Sequence, residues 1–134
     1  MSKKKTDRQK TIDKLDKLCR DVIIKRDRNC CQKCGKHKDK GLNWSHIIPR
    51  GHFYLRWDLL NSIAMCAHCH KWWFHSDVLA AYEWFTEKYP ARWSYLNSST
   101  DRESPLRRHK IISWNEIDTD KIEKELREKL KELK

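Results

Sequence analysis

Two pairs of cysteines constrain this chain more than any other feature of its sequence. The members of each pair, Cys31 and Cys34 in the first and Cys66 and Cys69 in the second, are two residues apart. Four thiolates with this spacing can hold one tetrahedral zinc ion, which closes the 31 residues between the pairs into a loop. Since His70 follows the second pair directly, the loop returns a histidine to the zinc site.

The composition favours such a metal staple. Only 38% of the 134 residues are apolar, so we expect one domain with a small core that gains stability from a bound ion. The start of the chain, Met-Ser-Lys-Lys-Lys, lacks the apolar segment of a signal peptide, and no stretch approaches the length of a membrane span. These features predict a cytoplasmic protein that makes no membrane contact and whose cysteines bind metal in a reducing compartment.

Two cysteines remain outside the pairs. Cys19 lies on the apolar side of a predicted helix, where we expect it to act as a small buried hydrophobe. Cys30 competes with Cys31 as a zinc ligand, but only Cys31 has the two-residue spacing to Cys34.

The positive charge is confined to one part of the chain. The net charge is +11, yet residues 117–134 contain six acidic and six basic residues, so the whole excess lies in residues 1–116. A basic body with a basic N-terminal segment is typical of a protein that binds a polyanion, although solubility alone also accounts for such a charge.

Hydrophobic spacing and turn signals divide the chain into three parts. We expect a basic disordered arm over 1–10, a zinc-knuckle domain with flanking helices over 11–97, and a linker with an amphipathic helix over 98–134. The first helix is expected to start after an N-cap at Thr11, and strands are expected over 42–48 and 62–65. The predicted class is α+β, a small mainly helical domain around a zinc-stapled hairpin and helix.

The order of these features resembles the HNH group of His-Me finger nucleases, which share a ββα-metal fold. The resemblance covers roughly residues 20–80. Within that group the chain is similar to the phage NinG/Rap recombination endonucleases, through the string Ser-His46-Ile-Ile-Pro-Arg50-Gly51-His52, the pair Arg56-Trp57, Asn61, and Cys66-x-x-Cys69-His70.

The resemblance implies roles for three residues of the loop and the following helix. His46 is expected to be the general base, with a backbone carbonyl accepting from Nδ1–H so that Nε2 faces the attacking water. His70 occupies the position of a ligand to a catalytic Mg²⁺ or Mn²⁺ ion, and His75 is a weaker candidate because it follows by five residues. Asn61 is expected to hold the long loop against the hairpin through its amide.

The residues around the expected base bear on substrate binding. Arg50, His52, Arg56 and Lys71 are predicted to contact DNA phosphates. Ser45 departs from the family pattern, because many HNH nucleases carry Asp or His there as a metal ligand and a hydroxyl is a poor ligand for Mg²⁺.

These features predict an HNH-type endonuclease that hydrolyses DNA, acting on branched or flap DNA in phage recombination or replication within the bacterial host cytosol. The departure at Ser45 keeps a second hypothesis open, a non-catalytic zinc-knuckle module that binds DNA. An RNA-binding module is a third and weaker hypothesis. The C-terminal helix is expected to dock on the domain, with a homodimer contact as the minority interpretation.

Overall fold

A computed structural model of the chain describes residues 4–48, 53–97 and 114–133, without the side chains of residues 53, 54 and 72–74. Within these ranges the chain is mainly helical, with one small antiparallel sheet, as the predicted α+β class requires. Its regular elements in chain order are α1 (Asp7–Arg26), β1 (Leu42–His46), α2 (Phe53–Arg56), a 3₁₀ turn (Leu59–Asn61), β2 (Ser62–Cys66), α3 (Ala67–Ser76), α4 (Val78–Lys88), α5 (Pro90–Asn97), a second 3₁₀ turn (Trp114–Glu116) and α6 (Thr119–Glu132).

The first helix begins earlier than the sequence predicted. Thr6 is its N-cap, since the Thr6 side chain accepts a hydrogen bond of 3.1 Å from the backbone N–H of Gln9. Thr11 lies inside the helix instead, where its hydroxyl donates to the Asp7 carbonyl at 3.0 Å. The prediction of a disordered arm through residue 10 is therefore wrong for residues 7–10, and residues 1–3 lie outside the described ranges.

Helix α1 provides one wall of the core. Its apolar residues recur every three or four positions, which places them on one helical face. The fully buried ones are Leu15, Cys19, Val22 and Ile23, which confirms the prediction for Cys19. At the end of the helix the Arg26 guanidinium donates to the carbonyls of Leu59 and Ser62, each at 2.7 Å, and so ties α1 to β2 and the preceding turn.

The two strands form an antiparallel hairpin whose register runs from Leu42 opposite Cys66 to His46 opposite Ser62. All five residues of β2 are buried, so both faces of this strand are covered. Strand β1 ends at His46, two residues before the predicted end. Beyond it the Ile47 N–H donates to the Asn61 carbonyl at 2.9 Å, which turns the chain out of the strand pairing.

Helices α4 and α5 pack as a pair after the hairpin. Asp77 caps α4 by accepting from the Ala80 N–H at 3.2 Å. Leu79 of α4 is 84% exposed. Ala81 and Phe85 are the residues of α4 that are fully buried.

The C-terminal helix docks on α1, as predicted. Leu126 is buried between the two helices' apolar faces, and the Lys14 ammonium pairs with the Glu123 carboxylate at 2.7 Å. The linker predicted between α5 and α6 lies outside the described residues, so the division into three parts stays a prediction. Among the described helices, none has the length and apolarity needed to cross a bilayer.

Candidate metal and catalytic site

The four cysteines of the two pairs meet at one end of the hairpin. The Sγ atoms of Cys31, Cys34, Cys66 and Cys69 all lie within 4.8 Å of one another, and those of Cys34 and Cys66 are 4.0 Å apart. Four sulfur ligands around a tetrahedral zinc ion, with Zn–S bonds of about 2.3 Å, are about 3.8 Å apart. The donor set therefore fits a structural zinc ion with little rearrangement.

Local backbone geometry explains why the sulfurs converge. Gly35 has a φ of +78° and its N–H donates to the Cys31 carbonyl at 2.8 Å, which closes the first knuckle. In the second knuckle the Cys69 N–H donates to the Cys66 sulfur at 3.4 Å. The knuckles are joined because the Gln32 N–H donates to the Ala64 carbonyl of β2 at 2.9 Å.

The thiols differ in how readily they ionise. Burial opposes ionisation of Cys31, but N–H groups of Cys34, Cys66 and Lys33 outweigh it and lower the pKa of the Cys31 thiol to about 7. Burial and the neighbouring thiols raise the pKa of Cys69. Cys30 stays outside the cluster, where its thiol donates to the Arg28 carbonyl at 3.4 Å, so the spacing identified the correct ligand.

His46 is the last residue of β1, and two contacts orient its ring. Its Nε2 lies 3.0 Å from the Arg56 carbonyl oxygen, and its ring centre lies 4.2 Å from that of Trp44. Because a carbonyl only accepts, Nε2 carries the proton and the lone pair of the neutral ring is on Nδ1. The prediction had assigned the two nitrogens the other way round, so Nδ1 rather than Nε2 is the basic atom.

Asp16 of α1 anchors the segment that holds His46. One carboxylate oxygen accepts from Arg56 Nε and from Trp57 Nε1, each at 2.9 Å, and the other accepts from Arg56 Nη2 at 2.6 Å. Asp16 and Arg56 are 40 positions apart in the chain, and no local sequence pattern predicts their contact. The carboxylate thereby fixes the residue whose carbonyl orients the histidine.

This contact changes the interpretation of Arg56. The Arg56 side chain is only 13% exposed and paired with Asp16, so the expectation of a solvent-facing guanidinium that clamps DNA phosphate is wrong. Trp57 is buried and donates to Asp16, which makes it part of the core.

Asn61 is fully buried behind the loop that follows β1. Its amide oxygen accepts from the Ile48 N–H at 2.8 Å, and its amide nitrogen donates to the carbonyls of Ile48 and Leu55 at 3.0 and 3.1 Å. These are the backbone contacts expected of a residue that holds the loop against the hairpin. Its contribution to catalysis stays a prediction.

Helix α3 brings two further imidazoles together. The ring centres of His70 and His75 are 5.1 Å apart, although five residues separate their positions on α3, which continues to Ser76. Burial and the charge of His75 lower the pKa of His70, so its ring is neutral and can act as a ligand at pH 7.

Asn43 of β1 contacts His70. The amide nitrogen of Asn43 and Nδ1 of His70 are 3.1 Å apart, and amide nitrogen and oxygen positions are interchangeable by a flip. Ligation of a metal through Nε2 needs the flipped amide, whose oxygen would accept from Nδ1–H.

Side chains alternate between the two faces of β1, so His46 lies on the face opposite Asn43, which contacts His70. Asn43 and Ser45 project from one face of the strand, and Trp44 and His46 from the other. Joint approach of His46 and His70 to one phosphate requires the chain to twist at the end of β1, and it stays a prediction. Ser45 Oγ is buried and makes no hydrogen bond to the described residues.

The remaining predicted site residues have different outcomes. Lys71 is exposed on α3, one residue after His70, and its contact with phosphate stays a prediction. Arg50 and His52 lie outside the described residues. Within the described ranges, the four cysteines form the one group of at least three metal-binding side chains whose ligand atoms lie close enough to hold a single ion.

Comparison with known proteins gives one match. The model of the HNH endonuclease family matches residues 31–72, from the first cysteine ligand into α3. Searches of curated proteins and of solved structures found no match, so no relative supports the narrower NinG/Rap resemblance. The matched segment contains the cysteine cluster, the hairpin, Asn61 and His70, and it supports a nuclease or DNA-binding role.

Proposed function

We propose that this protein is a metal-dependent endonuclease that hydrolyses DNA phosphodiester bonds. The observation that carries the proposal is His46 at the end of β1, its Nε2–H directed at the Arg56 carbonyl, within a segment that matches the HNH endonuclease family. A neutral imidazole with one nitrogen held by a carbonyl presents the other as a base at pH 7.

In this proposal Nδ1 of His46 takes a proton from a water molecule while the water oxygen bonds to phosphorus. The bond between phosphorus and the 3′ oxygen breaks, and that oxygen takes a proton from solvent. The products carry a 5′-phosphate and a 3′-hydroxyl. The Arg56 carbonyl stabilises the imidazolium that forms, and Asn61 and Asp16 keep that carbonyl in place.

Two ions belong to the proposal. The cysteine cluster would hold a structural Zn²⁺ ion that keeps the ends of the loop together. A divalent Mg²⁺ or Mn²⁺ ion held by His70 and His75 would supply Lewis-acid stabilisation of the phosphoryl charge. Of the two, Mn²⁺ fits a pair of imidazoles better, since Mg²⁺ prefers carboxylates and water.

The resemblance to the phage NinG/Rap endonucleases suggests branched or flap DNA as the substrate and a role in phage recombination in the host cytosol. The charge of +11 supports a DNA partner, and Lys71, Arg50 and His52 stay candidates for phosphate contacts.

The test is a cleavage panel of linear, nicked, flap and four-way DNA with Mg²⁺ or Mn²⁺. We expect His46→Ala to lower the cleavage rate by about 10²- to 10⁴-fold, the usual contribution of a general base, while DNA binding is retained. His37→Ala, which removes an exposed histidine elsewhere, is the matched control and should cut like the parent. Cleavage by His46→Ala at the parental rate would refute the proposal.

One observation favours a second candidate, a zinc-knuckle module that binds DNA without cutting it. The position before His46 holds a buried hydroxyl, and within the described residues His70 and His75 are joined by no third ligand. A wild-type protein that binds every DNA in the panel and nicks none of them, with either ion, would establish this candidate.

A further inference from the structure

A surface at the first cysteine knuckle and the α4–α5 junction collects three cationic side chains around two aromatic rings. The ammonium nitrogens of Lys33 and Lys88 lie 5.7 and 5.4 Å from the centre of the Trp84 ring. Lys88 also lies 5.6 Å from the Tyr89 ring, and the guanidinium carbon of Arg92 lies 4.5 Å from it. We call these five residues the knuckle–helix patch.

The patch is anchored to the zinc knuckle through Gln32, which lies between Cys31 and Cys34. The Lys88 ammonium donates to the Gln32 carbonyl, and the Tyr89 hydroxyl donates to the Gln32 side-chain oxygen at 3.1 Å. Because these contacts join the end of α4 to a knuckle that metal would make rigid, Lys88 and Tyr89 are held in place before any ligand arrives.

Arg92 adds a positive charge that the protein only partly neutralises. Its Nη1 atom is buried and has no hydrogen-bond acceptor among the described residues. Burial and the neighbouring Arg26 lower the pKa of Arg92, but a guanidinium keeps its proton in proteins. The Asp27 carboxylate that acts on Arg92 already accepts two hydrogen bonds from Arg26, so an external anion is favoured beside the patch.

An intramolecular role explains the patch less completely. An exposed cation–π contact contributes only about 0.5–1 kcal/mol to stability. One cation beside each ring would already provide this stabilisation, so the third cation is left without a structural role. Two lysines near the same ring concentrate like charge, which a bound anion would neutralise. Proteins that bind nucleic acid strands combine basic side chains and aromatic rings in this way.

We propose that the knuckle–helix patch binds the phosphodiester backbone of DNA, as a contact additional to the residues around His46. Lys33 and Lys88 would contact phosphates directly, and Arg92 would act as a fixed positive charge beneath them. This inference rests on the proposed function, because it requires that the protein bind DNA.

The test measures binding of a labelled DNA duplex by fluorescence anisotropy across a salt series, without divalent ions, in a His46→Ala background. In the Lys33→Gln/Lys88→Gln variant we expect the slope of log K against log salt to become less negative by about 1.8, from about 0.9 for each lost contact. At 0.1 M salt the affinity should fall by at most about 60-fold.

The control is Lys124→Gln/Lys131→Gln, which removes the same charge from exposed positions of α6. Zinc content and thermal unfolding verify that both variants fold. If the Lys33→Gln/Lys88→Gln variant does not fold, Lys33→Gln alone replaces it, and the expected change in slope is then half as large. A patch variant with the slope and affinity of the control overturns the inference. Tighter binding of RNA than of DNA of the same sequence overturns the assignment to DNA.

The outcomes separate this inference from the proposed function. If the wild type cuts DNA but the patch variant binds DNA like the control, the nuclease proposal stands and the proposed role of the patch is refuted. If the salt dependence of DNA binding changes in the patch variant but the wild type never nicks DNA, the role of the patch is supported and the nuclease proposal is refuted.

Discussion

Replacing Asp16 with asparagine tests whether α1 positions the candidate base. The substitution keeps the size of the side chain but replaces a carboxylate that accepts three hydrogen bonds from Arg56 and Trp57. The amide oxygen can still accept from Arg56 Nε and Trp57 Nε1, but the amide nitrogen then faces the Arg56 Nη2 donor, and the negative charge is lost. Hydrogen bonds to charged groups contribute about 1.5–3 kcal/mol each, so we expect the free energy of unfolding to fall by about 3 kcal/mol. In a domain of this size, that corresponds to a loss of roughly 10 °C in Tm.

The effect on His46 follows from the Arg56 carbonyl. A displacement of about 1 Å at a catalytic group costs about 100-fold in rate. Since Asn61 still holds the neighbouring Leu55 carbonyl, we expect the cleavage rate at saturating DNA to fall by about 10- to 100-fold with little change in KM. The ¹⁵N shifts of the His46 ring should change from a single Nε2–H tautomer to a mixture.

Asp13→Asn is the matched control for Asp16→Asn. Asp13 lies one turn earlier on α1, and its carboxylate pairs with Lys5 and Gln9 at the surface, where solvent screens such contacts. The reasoning fails if Asp16→Asn unfolds at the same temperature as Asp13→Asn and keeps the parental His46 tautomer. Measured at saturating zinc, the comparison does not depend on whether the protein cuts DNA.

Three further predictions concern the cluster, the loop and the C-terminal helix. Metal analysis of the purified protein should find one zinc ion. Cys66→Ser should lose this zinc and the cooperative unfolding transition seen by calorimetry, whereas Cys30→Ser should keep the zinc and the transition. Equal zinc content in the two variants would contradict the ligand set. Asn61→Ala leaves three buried backbone groups without partners and should lower the unfolding free energy in urea by about 3–5 kcal/mol; a loss below about 1 kcal/mol would show that the loop does not depend on this amide. Leu126→Ala should lower it by about 2–4 kcal/mol and Leu79→Ala by less than about 0.5, and equal losses would contradict docking of α6 on α1.

The cysteine cluster and the hairpin could be predicted because their signals are local. The two-residue spacing within each cysteine pair and the glycine after Cys34 each specify the structure of the few residues around them. The C-terminal amphipathic helix could be predicted for the same reason, since its apolar residues recur at helical spacing and Asp118 caps it. Boundaries were less well predicted, as at Thr6, because either of two nearby threonines can cap a helix and only the folded chain selects one.

The positions of the side chains around His46 could not be predicted, since they depend on contacts between distant segments. Arg56 has a sequence context typical of a phosphate contact, and only the position of Asp16 on α1 shows that its charge is already paired. The protonation of His46 was assigned wrongly for a similar reason. Which ring nitrogen meets a carbonyl depends on where the segment before the 3₁₀ turn packs.

The segment that matches the HNH family is therefore not a self-sufficient unit in this chain. An isolated two-stranded hairpin is marginally stable in water, and here α1 covers one of its faces with four fully buried side chains. The orientation of the candidate base also depends on Asp16, which precedes the matched residues 31–72. If a zinc ion holds the cysteines, it closes the loop at one end of the hairpin, whereas the position of His46 at the other end is determined by α1. Substitutions in α1 that leave zinc binding intact should consequently still impair the site, because the two supports act on opposite ends of the same strand.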